Sequence, residues 1–481
     1  VALANTEQLK RERIPATRGE IYALNGDSPV KMVMNETVYT VFVDPSILTD
    51  TKEVATVMKE IAGGNVRTGF EEFLERKDTR YQIIANRLTR TQADKIKEKS
   101  LTGVGLQAVS QRVYPEGQLA AQVLGFVNNE GAGNYGVEGK LNDRLNGIDG
   151  RLETVKDVSD VPLTIGDRNV REAAQNGENI VLTIDRNVQS KAEEVVRAHA
   201  SKLGADLVSA VVMDPKTGKV IAMANTPSYN PAEYYKVTDA SHFNNAIISK
   251  PFEPGSTVKT FTMSAAIDTN AAKATDTFYN TDSIRINDYV IGNATKGRTG
   301  TISFQTAMEW SLNTGFVTLG MRMGDGNSIN PKARATIYDY FHNKFGLGTA
   351  TGVELAGETG GRIVPPEQAD GNAVRYSNMT FGQGMDSTML QVATGFSSLV
   401  NGGDYYTPTV IAGTMNNGTY QPGVAPVPSR GAVISPETSR AIRAMMSEAR
   451  SSSIGSQDKQ GYEIGGKTGT AQIPEAGGYS D

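Results

Sequence analysis

Apolar and polar positions follow short, changing patterns over the first third of the chain. Residues 38–43 alternate ahead of Pro45, which predicts a strand, and residues 51–61 carry apolar side chains at helical spacing. The stretch 71–100 is rich in Lys, Arg and Glu, so we expect charged surface helices there. This part of the chain is therefore predicted to mix strands and helices.

A more regular pattern begins after residue 178. Residues 181–184 predict a strand and residues 188–203 an amphipathic helix. Residues 209–213 and 220–224 predict two strands, joined by a turn at 214–218. The order of strand, helix and hairpin is typical of a sheet with helices packed on it.

Length and this change of pattern together predict two domains. A chain of 481 residues exceeds one ordinary domain of about 100–200 residues. Residues 161–178 contain few apolar side chains, so we place the boundary at the end of that stretch. The predicted domains are residues 1–177 and 178–481.

Composition narrows the range of functions. The net charge is −5 with Lys and Arg spread along the chain, which makes nucleic acid a poor candidate partner. The chain has no cysteine, which excludes disulfides, thiol catalysis and cysteine-ligated metals. Its longest apolar run, residues 207–213, is too short to span a bilayer. Because the chain starts at Val1 without a signal-peptide pattern, we expect that an upstream segment has been removed.

A serine that acts as a nucleophile needs a neighbouring base. The residue types in this chain offer one simple way to supply that base. The chain contains no Gly-x-Ser-x-Gly motif, in which a serine would be activated by a histidine. We therefore expect structural roles for the three histidines, His199, His242 and His342. A lysine can replace histidine where burial and a positive neighbour lower its pKa from about 10.4. Ser-x-x-Lys at a helix start suits this role, because residues i and i+3 share one face of a helix.

The Ser-x-x-Lys pattern alone does not choose a site. It occurs at Ser28/Lys31, Ser256/Lys259 and Ser456/Lys459. Ser28 precedes a proline in a polar turn, and Ser456 lies in a loop containing Ser and Gly. Ser256 instead follows a Pro-Gly turn and precedes a run of apolar or small residues, so Lys259 is predicted to point toward a buried helix.

Two further short motifs also recur. They are Ser-x-Asn, beginning at Ser228, Ser311 and Ser328, and Lys-Thr-Gly, beginning at Lys216 and Lys467. The first Lys-Thr-Gly falls in the predicted hairpin turn. The second lies in residues 465–471, which predict a Gly-flanked strand whose small residues would let a substrate backbone lie alongside.

Taken in order, Ser256-x-x-Lys259, Ser311-x-Asn313 and Lys467-Thr468-Gly469 form the three-part signature of penicillin-binding proteins and serine β-lactamases. From about residue 178 to its end, the chain resembles class B penicillin-binding proteins. The segments that carry this resemblance are Glu253-Pro254-Gly255-Ser256-Thr257-Val258-Lys259, Ser311-Leu312-Asn313-Thr314-Gly315, Phe345-Gly346-Leu347-Gly348, Phe381-Gly382-Gln383-Gly384, Asn401-Gly402-Gly403 and Gly466-Lys467-Thr468-Gly469-Thr470-Ala471-Gln472.

The N-terminal part is similar to the pedestal of these proteins. The similar segments are Arg18-Gly19-Glu20-Ile21, Arg112-Val113-Tyr114-Pro115, Leu124-Gly125-Phe126, Gly136-Val137-Glu138 and Leu145-Asn146-Gly147. The passage with Gly131, Gly133 and Gly136 is closer to the septal, cell-division type than to the elongation type.

The resemblance implies an α+β fold. In it, an elongated mixed α/β pedestal, similar to a dimerisation domain, precedes a transpeptidase domain in which helices cover both faces of an antiparallel sheet. The resemblance also implies that further strands and a closing helix of that domain would follow Asp481.

The resemblance further implies a role for each motif residue. Neutral Lys259 would take the proton of Ser256, which attacks the carbonyl carbon of the penultimate D-Ala of a stem peptide. Ser311 would relay a proton to the departing D-Ala amine, and Asn313 would bind Lys259 and the substrate backbone. The charge of Lys467 would help to hold Lys259 neutral.

Substrate and partners are also implied by the resemblance. Thr468, Gly469 and Thr470 would bind the substrate, and the backbone N–H groups of Ser256 and Thr470 would form the oxyanion hole. No metal or cofactor is implied. The implied partners are peptidoglycan stem peptides, β-lactams bound covalently to Ser256, a SEDS-type glycan polymerase and other division proteins. The implied location is the extracytoplasmic face of the bacterial cytoplasmic membrane, with an N-terminal transmembrane anchor outside this chain.

Several alternatives remain open. The protein could be an elongation-type transpeptidase, or a penicillin-binding sensor or scaffold with little turnover. A β-lactamase or D,D-carboxypeptidase is disfavoured by the long pedestal and because Glu138-x-x-Leu141-Asn142, which mimics a deacylation motif, precedes the nucleophile. Gly131-x-Gly133-x-x-Gly136 matches a dinucleotide fingerprint, but no βαβ pattern surrounds it.

Overall fold

The computed structural model describes residues 9–155, 170–454, 460–471, 474–475 and 478–479. These residues form two compact units. The first unit takes the described residues of Val1–Tyr22, Lys31–Gly117 and Asp143–Ile180, and the second takes those of Ala23–Val30, Gln118–Asn142 and Val181–Asp481. The chain therefore passes between the units more than once, and the single boundary placed near residue 178 stays a prediction.

The elements before residue 178 are, in chain order, β1 (Leu9–Ile14), β2 (Ile21–Asn25), β3 (Ser28–Val43), α1 (Thr51–Val57), α2 (Phe70–Leu74), β4 (Gln82–Leu88), α3 (Arg90–Glu98), β5 (Val104–Val113), α4 (Ala121–Leu124), β6 (Phe126–Val127), β7 (Gly133–Asn134), α5 (Gly136–Lys140), α6 (Asn142–Asn146), β8 (Gly150–Val155) and β9 (Val170–Glu172). A π-helical turn, Met58–Ala62, continues α1. The strand predicted at 38–43 and the helix predicted at 51–61 are both confirmed.

In the first unit, β3 pairs antiparallel with β4 and with β5, and β8 lies between β1 and β9. The core of this unit joins the strands to α1, α2 and α3. The prediction of surface helices over 71–100 is wrong for β4, because Ile84, Ala85 and Leu88 of that strand are buried. The charge-rich composition of the whole stretch concealed these few apolar positions.

The elements after residue 178 are β10 (Asn179–Asp185), α7 (Arg186–Leu203), β11 (Val208–Met213), β12 (Val220–Thr226), α8 (Ala246–Ser249), α9 (Lys259–Asp268), β13 (Thr277–Asn280), β14 (Ser283–Ile286), β15 (Tyr289–Gly292), β16 (Gly300–Ser303), α10 (Phe304–Glu309), α11 (Asn313–Arg322), α12 (Pro331–Tyr338), α13 (Ala373–Met379), α14 (Met389–Val400), β17 (Ile411–Asn416), β18 (Thr419–Pro422), α15 (Pro436–Ile454), β19 (Pro474–Glu475) and β20 (Gly478–Tyr479). Short 3-10 helices span Pro231–Lys236, Ala240–Phe243 and Gly255–Val258, and a π-helix spans Asp339–Lys344.

The predicted strand, helix and hairpin at the start of the second unit are confirmed as β10, α7 and the antiparallel pair β11–β12. Helix α7 begins where the Asp185 side chain accepts hydrogen bonds from Asn187 N and Val188 N, and it ends at Gly204 in a left-handed conformation. Helix α7 packs on both strands, and α8 and α14 pack against β11. The second unit thus combines antiparallel strands with packed helices.

Helix α9 lies at the centre of the second unit. Its residues from Lys259 to Ala266 are all buried, and α11, α14 and α15 pack around it. A helix that is covered on every side offers no solvent-facing stripe, which agrees with the lack of amphipathic spacing in its sequence. Among the residues described, no helix combines the length and the apolar character needed to cross a membrane.

Candidate active site

Ser256 lies in a 3-10 turn that runs directly into α9. The turn depends on Gly255, whose φ of +58° is in the left-handed region that favours glycine. A Cβ atom on Gly255 would lie only 2.5 Å from the carbonyl oxygen of Thr470. Thr470, which follows the third motif, therefore lies directly against the turn that carries Ser256.

A second loop supports this turn from the other side. Gly255 N donates a 3.0 Å hydrogen bond to Gly382 O, and Gly384 N donates one of 2.7 Å to Glu253 Oε1. The sequence indicated Gly255 as part of a turn, but Glu253, Gly382 and Gly384 only through the family resemblance. They hold the Pro-Gly turn in front of the serine.

Lys259 brings the first two motifs together. Its Nζ lies 2.9 Å from Ser256 Oγ and 2.9 Å from Asn313 Oδ1. It also lies 2.7 Å from the carbonyl oxygen and 3.1 Å from the Oγ of Ser311. The predicted meeting of Ser256, Lys259, Ser311 and Asn313 is thus present in the structure.

Burial lowers the pKa of the Lys259 amine well below its usual value, and the positive charge of Lys467 lowers that pKa further. A neutral amine has two N–H donors and one lone pair. The N–H groups can serve Ser311 O and Asn313 Oδ1, which leaves the lone pair for the Ser256 hydroxyl. This arrangement suits a base.

Lys467 completes the cluster through Ser311. Its Nζ donates hydrogen bonds to Ser311 Oγ at 3.0 Å and to Thr468 O at 3.0 Å. Burial lowers the pKa of Lys467 to about 8. Ser311 has a φ of +55°, a left-handed conformation that is uncommon for serine. The backbone at Ser311 thus directs both its carbonyl group and its hydroxyl group toward Lys259.

Asn313 is the first residue of α11, and its amide orientation is fixed from both ends. Its Oδ1 accepts from Lys259, while its Nδ2 donates to Gly292 O at 3.0 Å. Asn330, from another Ser-x-Asn copy, instead caps a helix by accepting from Ala333 N. The contacts of the asparagine therefore distinguish the motif from its copies.

Residues 468–470 run past the nucleophile turn. A Cβ atom on Gly469 would lie 2.8 Å from Thr257 Cγ2 and 3.0 Å from Pro254 O. The strand predicted at 465–471 is wrong for the described residues, where the segment is irregular and no described strand pairs with it. A strand requires a hydrogen-bonded neighbour, and sequence composition cannot supply one.

The remaining candidates have local contacts. Lys31 forms an ion pair with Glu20, and Lys216 lies in the turn after β11. His199 Nδ1 lies 2.9 Å from Val195 O in its own helix, and His342 stacks on Tyr338. Ser456, Lys459 and Gln472 lie outside the described residues. Within those residues, no group of His, Cys, Asp or Glu is arranged to hold a metal.

Comparisons with known proteins identify the family. The penicillin-binding protein transpeptidase domain matches residues 208–481, and the penicillin-binding protein dimerisation domain matches residues 13–182. The chain belongs to the class B penicillin-binding proteins. The expected family and fold class are thereby confirmed.

Two relatives show how far the sequence similarity of this penicillin-binding protein extends. It is 30% identical to stage V sporulation protein D of Bacillus subtilis, over 96% of this chain and 70% of that protein. It is 32% identical to penicillin-binding protein PbpB of Mycolicibacterium smegmatis, over 90% of this chain and 64% of that protein. It therefore spans about two thirds of the length of these relatives.

Solved structures share the fold. Penicillin-binding protein 2X of Streptococcus thermophilus aligns with a TM-score of 0.77 at 23% identity, over 98% of this chain and 73% of that one. Penicillin-binding protein 3 of Mycobacterium tuberculosis, in complex with aztreonam, aligns with a TM-score of 0.68 at 25% identity, over 98% of this chain and 85% of that one.

The lowered pKa of Lys259 predicts a distinctive pH dependence of stability. Its folded pKa is lowered, so folding releases a proton at every pH between that value and the unfolded value of about 10.4. The free energy of unfolding should therefore rise with pH in this range, by up to about 1.4 kcal/mol per pH unit from this group. Lys259→Met removes that contribution.

Urea unfolding between pH 7 and pH 10 measures the effect. We expect the native protein to gain stability relative to Lys259→Met as the pH rises. Lys332→Met, which removes an exposed lysine of α12, is the matched control and should follow the native curve. Parallel curves for the native protein and Lys259→Met would contradict a neutral Lys259.

Proposed function

We propose that this penicillin-binding protein is a peptidoglycan D,D-transpeptidase that cross-links stem peptides through an acyl-enzyme on Ser256. The observation that carries the proposal is the buried Lys259 amine, 2.9 Å from Ser256 Oγ, with Lys467 beside Ser311. Relatives named as probable peptidoglycan D,D-transpeptidases, such as PenA of Neisseria gonorrhoeae at 28% identity, support it.

The acylation step uses the hydrogen bonds of the cluster. The lone pair of Lys259 takes the proton of Ser256 as Oγ forms a bond to the carbonyl carbon of the penultimate D-Ala. The carbonyl oxygen receives the displaced electron pair. When the C–N bond breaks, the proton passes from Lys259 through the Ser311 hydroxyl to the departing D-Ala amine.

The third motif would bind the charges of the substrate. The hydroxyls of Thr468 and Thr470 would receive the terminal carboxylate, next to the ammonium of Lys467. Backbone N–H groups of Ser256 and Thr470 would stabilise the oxyanion, and losing one such donor typically costs about 3–4 kcal/mol. The close approach of Gly255 to Thr470 supports this pairing of donors.

Transfer to the second peptide repeats the same proton movements in reverse. An amine of a neighbouring stem peptide attacks the ester carbon, its proton passes to Lys259, and Ser256 leaves with that proton. A β-lactam would acylate Ser256 in the same way, because its strained amide replaces the D-Ala-D-Ala bond. The resulting ester would persist because no water-activating group belongs to the motif set.

Acylation by benzylpenicillin tests the nucleophile. Intact-mass spectrometry should show one adduct of the mass of the drug on the native protein and none on Ser256→Ala. Ser283→Ala, which removes an exposed serine of β14, should keep the adduct. An adduct that persists on Ser256→Ala would contradict the assignment.

Turnover in the same preparation separates the alternatives. A transpeptidase should join two stem peptides. A sensor or scaffold would form the adduct without joining peptides, and a β-lactamase would hydrolyse nitrocefin repeatedly.

The role of Lys467 predicts how the rate of Ser256 acylation falls at alkaline pH. Because the pKa of Lys467 is about 8, its charge is lost above that pH, and the rate should then fall. Lys467→Arg keeps the charge throughout, so the fall should be absent up to about pH 10. Lys216→Arg, in the other Lys-Thr-Gly, is the control. A decline near pH 8 in Lys467→Arg would exclude Lys467 as its source.

We further propose a septal role, at the extracytoplasmic face of the cytoplasmic membrane, with a SEDS-type glycan polymerase and other division proteins as partners. The passage with Gly131, Gly133 and Gly136 supports it, as does a 27% identical relative named as an FtsI homolog. A fluorescent fusion of the full-length protein should concentrate at mid-cell in dividing cells. Labelling confined to the lateral wall would favour an elongation role instead.

A further inference from the structure

A basic loop lies beside the second motif of the site. Residues 293–299 connect β15 to β16 and carry Lys296 and Arg298 but no acidic side chain. The loop is anchored through Asn313, whose Nδ2 donates to Gly292 O at 3.0 Å. It is anchored again where Thr314 N donates to the buried Asn293 Oδ1 at 3.1 Å. The loop is therefore held by the residues that also place Asn313.

The other end of the loop is fixed by backbone contacts. Asn280, itself fully buried, donates from Nδ2 to Arg298 O and accepts from Thr314 Oγ1 at 2.7 Å. The carboxylate of Asp282 accepts from Gly297 N at 2.9 Å and from Arg298 N at 3.3 Å. These contacts use main-chain atoms of Arg298, so they do not depend on its side chain.

The guanidinium of Arg298 lies over the indole ring of Trp310. The guanidinium carbon is 4.3 Å from the centre of the indole ring, and Trp310 remains 40% exposed. Among the described residues, no acidic side chain forms an ion pair with Arg298. A stacked guanidinium keeps the N–H groups of its edge available for a planar, bidentate acceptor such as a carboxylate.

Chain geometry places this pair close to the reacting groups. Trp310 precedes Ser311, whose Oγ is 3.1 Å from Lys259 Nζ, and consecutive Cα atoms are only about 3.8 Å apart. Lys296 adds a second positive charge to the same loop. The surface next to Ser311 thus presents an indole ring with one guanidinium above it, and the Lys296 amine lies nearby, donating to Asp282 O at 3.4 Å.

We propose that Arg298, held on Trp310, binds a carboxylate of the acyl-donor stem peptide upstream of D-Ala-D-Ala. This inference rests on the proposed transpeptidase function. In a stem peptide whose second residue is D-glutamate linked through its side chain, the α-carboxylate remains charged unless it is amidated. An extended peptide advances about 3.3–3.6 Å per residue, which puts this group roughly 10 Å from the scissile bond. The preferred donor is therefore the carboxylate form over the amidated form.

Two synthetic donor peptides test the subsite. They are identical pentapeptides that carry either the α-carboxylate or the α-carboxamide at the second residue. We expect the native protein to show a KM roughly three- to tenfold lower for the carboxylate form, as for one charge-assisted hydrogen bond at a partly exposed site. Arg298→Gln should raise that KM to the value for the amide, with kcat for both peptides within about twofold of native.

Two further variants sharpen the comparison. Arg285→Gln removes an exposed arginine from the neighbouring strand β14 and should leave the preference unchanged. Arg298→Lys keeps the charge but loses the planar stack, so it should retain part of the preference.

Benzylpenicillin acylation of Ser256 separates the possible failures. Arg298→Gln should form the adduct at the native rate, which shows that its fold and catalytic groups are intact. Equal KM values for the two peptides with the native protein would overturn the subsite alone, and so would an equal rise for both peptides in Arg298→Gln. A native protein that forms no adduct and joins no peptides would contradict the transpeptidase function itself.

Discussion

The site depends on one buried amine that is surrounded by oxygen atoms. Lys259 is fully buried on the central helix of its unit, and its Nζ has four oxygen atoms within 3.1 Å. Burying an ammonium is costly, so the pKa of this amine is lowered well below its usual value. The same burial therefore favours an uncharged amine next to the Ser256 hydroxyl.

The other parts of the site lower the pKa of that amine or fix its orientation. Lys467 contributes a nearby positive charge, and Ser311 lies between the two lysines in a left-handed backbone conformation. Asn313 is fixed by Gly292, which prevents its amide from turning its N–H₂ group toward Lys259. Burial and the charge of Lys467 favour the uncharged amine, while the oxygen acceptors around Nζ fix its orientation.

Close backbone approach brings the third motif to the nucleophile. Gly255 and Gly469 both lie where a Cβ atom would collide with the opposite segment. Glycine at these positions allows residues 468–470 to pass beside Ser256. The basic loop with Arg298 is attached to the same framework through Asn280 and Thr314, so the reacting groups and the proposed carboxylate subsite share one set of buried hydrogen bonds.

Local chemistry in the sequence determined the choice of Ser256 and Lys259, because a Pro-Gly turn followed by a run of apolar or small residues favours both access to the serine and burial of the lysine. Spacing also determined β10, α7 and the β11–β12 hairpin. Only the tertiary structure decided which Ser-x-Asn copy meets Lys259, the left-handed turn at Ser311 and the stacking of Arg298 on Trp310. It also showed the strand hidden at Gln82–Leu88 and the irregular path of residues 465–471. These features arise from contacts between residues far apart in the chain, and a local pattern carries no information about such partners.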